Sequence, residues 1–512
     1  MENAATRAEG SHRPLAREGS AALRHQSVVF AGLAAQIVLQ FVLSVVLARL
    51  FGASLQVDAY RAAFTLPAGA SAVLTGALGP VIIAILARSE TGLDKRTFTG
   101  AVLSAAAAAS VLLAVAGWLA ADELMAALLP DYGPAETALT ADLFRVLVWL
   151  IPANTLIGLF QSLLNASLVF AVPAVAGIAG PLLTVAIVVA VGDAHGMYAI
   201  AIATVAGAIL NAAIQLPKVL RQAAIPGTLA AWKPPPGMAR LAGPVLFAML
   251  ILKIDPVVDR YVSSYLPTGS ISRLDWSYQI VTIFVVLASG TLSTVAFPRI
   301  AGKAVTGGAP LDEEIGRALR ALVTLCAPAV AALMVFAGPL VRDLFERGQF
   351  TASDTAIVAT LVRIYAVLLI GAALGELCTK TMYALRDSAT PTAIGSAALA
   401  AGFLAKLAIV PQGGVWTLPL ISSMVYLVGG SCLLVVVRRR TSRHIFRGLG
   451  SHLQRCVVAT LVALGGGGVI LASGVVGGGI LGLAAGAVCY FAVLALLDAD
   501  TRAAFTAWRE RR

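Results

Sequence analysis

The residues of this sequence that could do chemistry are ionisable side chains placed inside long apolar stretches. Residues 247–267 (FAMLILKIDPVVDRYVSSYLP) carry Lys253, Asp255, Asp259 and Arg260 around a central proline. An ionisable group inside a bilayer costs about 2.5–3.5 kcal/mol on insertion scales, so such groups pair, line a watery cavity or lie at an interface. We therefore predict an ion pair or a polar pathway in this segment, with a functional role for its two aspartates.

Two further places combine charge with apolar surroundings. Glu376 and Lys380 stand four residues apart, a spacing that lets them pair on one face of a helix. They either satisfy each other or face a cavity. Lys406 lies deep in another apolar stretch, where water is scarce. A lysine in that environment is expected to have an anionic partner and a functional role.

Signatures of enzymatic or metal chemistry are not found in the sequence. It contains no nucleophile elbow, phosphate-binding loop, metal-ligand cluster or glycine-rich nucleotide fingerprint. The cysteines lie in or at the edge of apolar stretches without CxxC spacing, which argues against disulfides and zinc. They are Cys326, Cys378, Cys432, Cys456 and Cys489. We predict a protein that is not an enzyme and has neither a metal nor a cofactor.

The composition places these residues in a membrane. Of the 512 residues, 59% are hydrophobic and 12% are charged, whereas soluble domains are about one quarter charged. A helix needs about twenty apolar residues to cross the hydrocarbon core, and barrel strands would be short and alternating. We predict an all-α polytopic membrane protein with about 14 transmembrane helices. The spans cover residues 28–50, 63–87, 100–121, 141–168, 171–192, 196–216, 238–262, 273–297, 317–337, 356–384, 391–411, 415–437, 455–474 and 477–497.

Basic residues mark one side of the predicted membrane, because cytoplasmic loops are enriched in Lys and Arg. The N-terminal tail, the loops after even-numbered spans and above all the stretch 438–455 are basic. The loop at 122–142 instead contains five acidic residues and no Lys or Arg. Both termini are therefore predicted to be cytoplasmic. This arrangement beside anionic lipid explains the net charge of +11, so no nucleic-acid partner is expected.

An internal repeat relates the two halves of the chain. Residues 136–138 (ETA) match residues 354–356 (DTA), and the same offset of 218 residues pairs Arg145 with Arg363 without a gap. An even number of spans separates the copies, so both run in the same direction. Parallel repeats of this kind are typical of secondary transporters, with a substrate path between the lobes. Both arginines lie at span ends and are expected to extend to the membrane interface.

The repeat covers spans 1–6 and spans 7–12, so the last two spans lie outside it. Together with the charges, it predicts two six-helix lobes followed by two C-terminal helices. The predicted segments are a cytoplasmic tail (1–27), an N-lobe (28–216), a cytoplasmic linker (217–237), a C-lobe (238–437), a basic cytoplasmic loop (438–454), spans 13–14 (455–497) and a cytoplasmic tail (498–512).

Four motifs carry a resemblance to a known family. They are LARLFGAS with VDAYRAAFTLP, VDRYVSSYLPTGSIS with LDWSY and LSTVAFPRI, LFERGQFTASDTAIVATLVRIYA, and YALRDSATPT. They cover about 130 residues spread over both lobes. In these motifs the chain resembles the lipid II flippase family of MurJ/MviN type, which belongs to the multidrug/oligosaccharidyl-lipid/polysaccharide exporter superfamily.

The resemblance implies a V-shaped, two-lobe bundle in the bacterial inner membrane that works by alternating access. Its cargo would be an undecaprenyl-pyrophosphate-linked saccharide, either lipid II for peptidoglycan or an exopolysaccharide unit, with spans 13–14 forming a groove for the polyprenyl tail. The implied partners are the phospholipid bilayer and proteins of cell-wall or exopolysaccharide synthesis. The implied substrate-binding residues are Asp58, Arg61, Arg260, Gln279 and Arg363.

The chain departs from this family at the positions of three cavity arginines, which here are Ile37, Leu43 and Gln279. An anionic pyrophosphate would meet less positive charge at these places. Three alternatives therefore stand beside the flippase interpretation. They are an exporter of small amphipathic molecules on the same scaffold, a non-transporting membrane scaffold, and a membrane-embedded glycosyltransferase or ligase. The last would need catalytic acids on large external loops, and the longest predicted one has about twenty residues.

A second departure concerns cation coupling. Some members of the family bind sodium between an Asp of span 7 and Asn or Asp residues of span 11. Asp259 aligns with the former, whereas Gly402 and Lys406 align with the latter. We expect the Lys406 ammonium to occupy the place of the cation and to pair with Asp259 or Asp255. Transport would then be independent of sodium.

Overall fold

A computed structural model describes residues 32, 34–87, 95–223, 238–291, 296–304, 308–475 and 477–498. Within these ranges the regular structure is helical and no strand is present, which confirms the predicted all-α class. The predicted tail at 1–27, most of the tail at 498–512 and most of the linker at 217–237 lie outside them. The helices are α1 (Ala34–Phe51), α2 (Leu55–Ala87), α3 (Lys95–Leu119), α4 (Ala121–Leu128), α5 (Pro134–Leu147), α6 (Leu150–Ala166), α7 (Ala171–Leu220), α8 (Met238–Ser263), α9 (Ser270–Thr291), α10 (Phe297–Ala304), α11 (Ala309–Phe345), α12 (Ala352–Ala384), α13 (Ala389–Gly413), α14 (Thr417–Arg440), α15 (Leu449–Ala472) and α16 (Gly478–Leu497).

Two helices reconcile this list with the predicted fourteen spans. By length and composition, 12 helical segments of the described chain could cross a membrane. One of the 12 segments, α7, contains two predicted spans. Gly196 (φ 63°, ψ −153°) interrupts its 50 residues with a backbone conformation that only glycine adopts readily. The second helix, α8, is not among the 12 segments. It is 26 residues long and coincides with predicted span 7, whose five charged residues lower its hydropathy.

The chain divides into two compact units. The first unit contains the described residues up to Leu50 together with Leu55–Arg260. The second contains Phe51–Ser54 and the described residues from Tyr261 onward. The four-residue turn Phe51–Ser54, although it follows α1 directly, therefore packs with the second unit.

The first unit is built around α2 and α6, which pack against each other along their length. Helix α3 packs on α6 from one side and α7 from another. Apolar side chains from these helices form a core at their contact. Core members include Ile82 of α2, Leu103 of α3, Leu159 of α6 and Val219 of α7.

The second unit is organised by α12, which contacts α9, α11 and α14. Its buried positions recur at helical spacing around most of its circumference, as expected for a helix enclosed by neighbours. Helices α15 and α16 pack on each other and also against α11. Their interface includes Cys456, Ala459, Tyr490 and Leu494, all buried.

The predicted repeat is visible in the backbone of each copy. Glu136 accepts a hydrogen bond from the Gly133 amide (2.9 Å), and Asp354 accepts one from the Thr351 amide (3.0 Å). Both carboxylates therefore cap the start of their helix. Two non-glycine residues of the described chain have positive φ, Leu168 (57°) and Arg386 (61°), and they are separated by the same offset of 218 residues.

The copies differ in the helix that follows the cap. The predicted span over 141–168 corresponds to one apolar helical segment, Pro134–Ala166, so the prediction of a single span holds and its boundaries differ. The helix begins earlier, at Pro134, and breaks at Val148 and Trp149 into α5 and α6. We attribute the break to Pro152, which has no amide hydrogen for the Val148 carbonyl four residues earlier and whose ring would clash with that carbonyl in a regular helix. Helix α12, the second copy, is continuous over 33 residues.

Candidate functional site

A polar cluster lies on one face of α2 in the first unit. Asp58, Arg61 and Thr65 follow the spacing i, i+3, i+7, which places them on the same side of a helix. Arg61 Nη2 donates a hydrogen bond to Ser44 Oγ of α1 (3.2 Å). Arg260 Nε, from α8, donates to Thr65 Oγ1 (3.0 Å). Three of the five predicted substrate-binding residues are thus held near one another.

The charged residues of this cluster also act electrostatically on a tyrosine in a nearby loop. Asp58 is buried, with 1% of its surface exposed. Tyr132 lies in the loop between α4 and α5. Burial, reinforced by the Asp58 and Glu136 carboxylates, raises the pKa of Tyr132 above its usual value, and the Arg260 guanidinium opposes that rise. The Tyr132 hydroxyl therefore stays protonated and available as a hydrogen-bond donor.

Sequence reasoning did not single out Ser44, Thr65 or Tyr132. Serine and threonine are common in membrane spans, where most of them join helices through hydrogen bonds. Nothing in their local sequence marks these three as neighbours of the charged residues. The one signal in the sequence is the i+7 spacing from Asp58 to Thr65, which places both residues on one face of α2. That spacing alone does not indicate a site, because the contact that joins Thr65 to the charged residues comes from Arg260 on another helix.

The two remaining predicted substrate contacts lie in the second unit. Arg363 of α12 donates from Nε to the Met334 carbonyl of α11 (3.1 Å), so its guanidinium is held against a neighbouring helix. Arg145, its counterpart in the repeat, forms ion pairs with Asp122 and Asp142 at the first unit's surface. Gln279 is half-buried on α9.

The predicted ion-pair residues are placed as follows. Glu376 and Lys380 form the expected i, i+4 pair on α12 (3.7 Å), each about one third exposed. Lys380 also lies over the Phe297 ring, 5.6 Å from its centroid. Lys406 of α13 is 2% exposed.

The aspartates of the predicted set belong to the first unit. Asp255 and Asp259 are four residues apart on α8, so they share one face of that helix. Oδ1 of Asp259 is fully buried. The coupling residues are thus distributed over both units, with the two aspartates in the first and Lys406 in the second.

Parts of the motifs that carry the family resemblance, in α9, at the end of α11 and in the loop before α12, form an aromatic cluster of the second unit. Trp276, Phe345 and Phe350 are buried and contact one another, with ring centroids 5.3–6.0 Å apart. Gly52 (φ 56°) lies against the Gln349 carbonyl so closely that a Cβ atom would clash with it. These parts of the motifs therefore stabilise the fold, whereas the motif VDAYRAAFTLP of the first unit contains the candidate residues Asp58 and Arg61.

Each unit also contains an apolar groove. The Lys253 groove, in the first unit, has a volume of about 540 Å³ and runs between α2, α3, α4, α5, α6 and α8. We define it by Leu66, Gly69, Val73, Gly117, Lys253 and Val257. The Tyr490 groove, in the second unit, has a volume of about 380 Å³. We define it by Phe284, Phe336, Thr460, Gly486 and Tyr490.

The described part of the chain contains no group of three or more His, Cys, Asp or Glu side chains that could hold a metal ion. The chemistry available in the clusters above is that of guanidinium, ammonium and carboxylate groups with a few hydroxyls. Such groups bind and orient charged ligands, and a buried guanidinium in particular suits phosphate.

Comparison with known proteins connects this arrangement to a family. The family model for lipid II flippase MurJ matches residues 47–484. A lipid II flippase MurJ from Burkholderia cenocepacia is 27% identical over 391 residues, which cover 72% of this chain and 74% of that protein.

Solved structures share the fold. A lipid II flippase MurJ in an inward closed conformation superposes with a TM-score of 0.79 at 19% identity, covering 92% of this chain and 99% of that one. A multidrug resistance MATE family transporter of the MOP superfamily, in an inward-facing conformation, superposes with a TM-score of 0.65 at 12% identity, covering 79% and 94% of the two chains. The match of the family model over most of the sequence is decisive: this chain is a multi-pass membrane protein of the lipid II flippase MurJ family.

Proposed function

We propose that this protein translocates an undecaprenyl-pyrophosphate-linked saccharide, with lipid II as its first candidate cargo, from the inner to the outer leaflet of the bacterial inner membrane. The observation that carries the proposal is the match of the MurJ family model to residues 47–484. The fold agrees with it, because the MurJ structure covers 92% of the chain. Transport and not catalysis is the activity proposed.

The polar cluster of the first unit supplies contacts for an anionic head group. The Arg61 and Arg260 guanidiniums are oriented by hydroxyls of Ser44 and Thr65, so their forks are held ready for phosphate oxygens. The buried Asp58 carboxylate limits the net positive charge, which would let the pyrophosphate leave as well as enter. In the second unit we assign further head-group contacts to Gln279 and Arg363.

The Tyr490 groove is the proposed place for the polyprenyl tail. Its walls are apolar side chains of α9, α11, α15 and α16, and its polar atoms are two hydroxyls. An isoprenoid chain needs only an apolar wall of sufficient length. Helices α15 and α16 correspond to predicted spans 13 and 14, to which the resemblance assigns this role.

Complementation of a strain depleted of its own lipid II flippase tests the proposal. We expect the full chain to restore growth and cell shape. Arg260→Gln should abolish rescue, whereas Arg145→Gln, which removes an arginine paired at the surface, should retain it. All variants are compared at equal abundance in the membrane. Failure of the unaltered chain to rescue, with normal membrane levels, would remove lipid II from the candidate cargoes.

An exporter of small amphipathic molecules is the second candidate function. Two observations favour it: the fold is shared with a MATE multidrug transporter, and Ile37, Leu43 and Gln279 replace three arginines expected from the resemblance. This function predicts that expression raises resistance to lipophilic cations and accelerates dye efflux. Efflux without complementation would favour the exporter, and complementation without efflux would favour the flippase.

The buried ammonium of Lys406 suggests how transport is coupled. We propose that it supplies, as a fixed charge, the positive charge that bound sodium supplies in some relatives. Asp255, Asp259, Glu376 and Lys380 would then act as structural or gating charges instead of sodium ligands. Sodium should leave the thermal midpoint of the purified protein unchanged relative to potassium. A sodium-dependent rise that disappears in Asp259→Asn would contradict this proposal.

The basic segments support an orientation with both termini in the cytoplasm. Alkaline phosphatase, which is active only outside the cytoplasm, should be active when fused after Asp131 and inactive when fused after Arg440. The reverse result would overturn the orientation. We further propose proteins of cell-wall or exopolysaccharide synthesis as neighbours in the membrane, which crosslinking in intact cells can test.

A further inference from the structure

The Lys253 groove differs from a surface that only contacts bulk lipid. Its walls are apolar side chains and small residues from six helices of the first unit, and its volume of about 540 Å³ lies within the range of ligand pockets. Among the described residues that line it, Lys253 carries the one ionisable group. Bulk acyl chains need no cation in such a wall, so the lysine calls for an explanation.

The position of Lys253 makes its charge unusual. It lies ten residues before the end of α8 at Ser263, a rise of about 15 Å. That is half the thickness of a hydrocarbon core of about 30 Å. The side chain is half-buried, and none of the ion pairs among the described residues includes it. Ionisable groups at this depth pair, face a watery cavity or extend to the interface, so an anion brought into the groove would stabilise this ammonium.

We propose that the Lys253 groove binds a single-chain anionic amphiphile of the fatty-acid type, with its carboxylate on the Lys253 ammonium and its chain along α2 and α3. A fatty-acid carboxylate is a small anion attached to a single acyl chain. The carboxylate can pair with the Lys253 ammonium while the chain fills the apolar groove. A two-chain phospholipid fits less well, because its polar head group remains at the bilayer surface. This site is separate from the head-group contacts and the tail groove proposed above.

The small side chains of the groove explain its room and offer a way to close it. A Cβ atom built on Gly69 would meet only the Lys253 Cβ, at 4.0 Å. A leucine at this position, within regular helix, therefore fills the groove without displacing backbone. Gly69→Leu removes space and leaves the charge, whereas Lys253→Gln removes the charge and leaves the space.

The test is equilibrium binding of radiolabelled palmitate to the full-length protein in nanodiscs of zwitterionic phosphatidylcholine. We expect saturable binding of one palmitate, with at least a tenfold loss of affinity in Lys253→Gln, retention in Lys253→Arg and loss in Gly69→Leu. Lys218→Gln, which removes a lysine from the last turn of α7, is the matched control and should bind normally.

Competition by head-group analogues decides the ligand class without any variant. Hexadecanol and hexadecylammonium share the chain of palmitate and lack the anion, so they should compete at least tenfold less well. Equal competition by hexadecanol, or unchanged binding in Lys253→Gln, would overturn the proposal and leave the groove to bulk acyl chains. Stronger competition by phosphatidate than by palmitate would overturn the single-chain assignment. None of these results depends on which cargo the protein transports.

Discussion

The two copies of the internal repeat begin alike and are stabilised differently. In the first copy, the Glu136 carboxylate caps α5 by accepting a hydrogen bond from the Gly133 amide, a contact within the same helix terminus. In the second copy, Asp354 caps α12 through Thr351 and also accepts two hydrogen bonds from Arg273 of α9 (2.9 and 2.8 Å). The side chains of this ion pair are 19% and 7% exposed.

The difference shows how a duplicated local signal acquires a long-range role. A capping carboxylate is chosen first by the helix terminus, where it satisfies backbone amides and complements the helix dipole. Once buried beside a partner helix, the same group can bind an arginine. The first copy instead leaves its charges at the surface, where Arg145 pairs with Asp122 and Asp142. The same capping signal therefore forms the same cap in both copies, but the capping carboxylate contributes more to the stability of the second copy than to that of the first.

The largest expected effect is at Asp354. Asp354→Ala should lower the free energy of unfolding by about 3–5 kcal/mol, because it leaves the Arg273 guanidinium without its buried partner. Glu136→Ala should cost about 1 kcal/mol, the value of a cap alone. Chemical denaturation of both variants in detergent measures the difference. Asp354→Asn, which can still cap, separates the two contributions. Equal losses at 354 and 136 would break the comparison.

A proline tests the continuity of the second copy. Position 370 in α12 corresponds to Pro152 in the first copy. Ile370→Pro should cost about 3 kcal/mol or more, because it removes a hydrogen bond inside an unbroken helix and its ring clashes with the preceding turn. Pro152→Ala should change stability by less than about 1 kcal/mol, since the helix is already broken there. A large loss for Pro152→Ala would show that the break itself is required.

The two left-handed residues should respond in the same way. A left-handed conformation costs a non-glycine residue about 1–2 kcal/mol, and a glycine at the same position avoids this cost. Part of that gain in stability is lost again, because glycine gives up more conformational entropy on folding than other residues. Leu168 is 70% exposed and Arg386 is exposed, so little packing is lost on truncation. Leu168→Gly and Arg386→Gly should each raise stability by up to about 1 kcal/mol. Opposite signs in thermal midpoint would show that the turns are not equivalent.

The smallest expected effect is a dependence on pH at the turn after α12. The Thr390 amide, then the Thr390 hydroxyl and Arg440, lower the pKa of Asp387 below its usual value. A carboxyl group with a depressed folded pKa stabilises the protein above its unfolded pKa of about 3.9, and this contribution is lost as pH falls through the folded value.

The measurement is the thermal midpoint of the protein and of Asp387→Asn between pH 6 and pH 3. The difference between them should be present at the upper end and shrink below about pH 4. The first copy has Val169 at the corresponding place and should show no such change in Val169→Ala. A difference that persists to pH 3 would contradict the assignment.

Much of the fold could be predicted because apolar length and charge are local properties. The spans, the repeat and the Glu376–Lys380 pair follow from composition and spacing. The site could be predicted less well. Arg61 and Arg260 could be named, but the hydroxyls that orient them come from other helices. The role of Asp354 beyond its cap depends on Arg273, 81 residues away, which no local pattern reveals.

The interruption of α7 at Gly196 has a consequence for how the protein is made. The segments on either side are each about 36 Å long at 1.5 Å per residue, enough to span the hydrocarbon core. They are joined without a connecting loop, so neither can enter the bilayer long before the other. We therefore expect these two spans to insert together as one helical hairpin, and a tag placed at Gly196 to lower the amount of protein in the membrane.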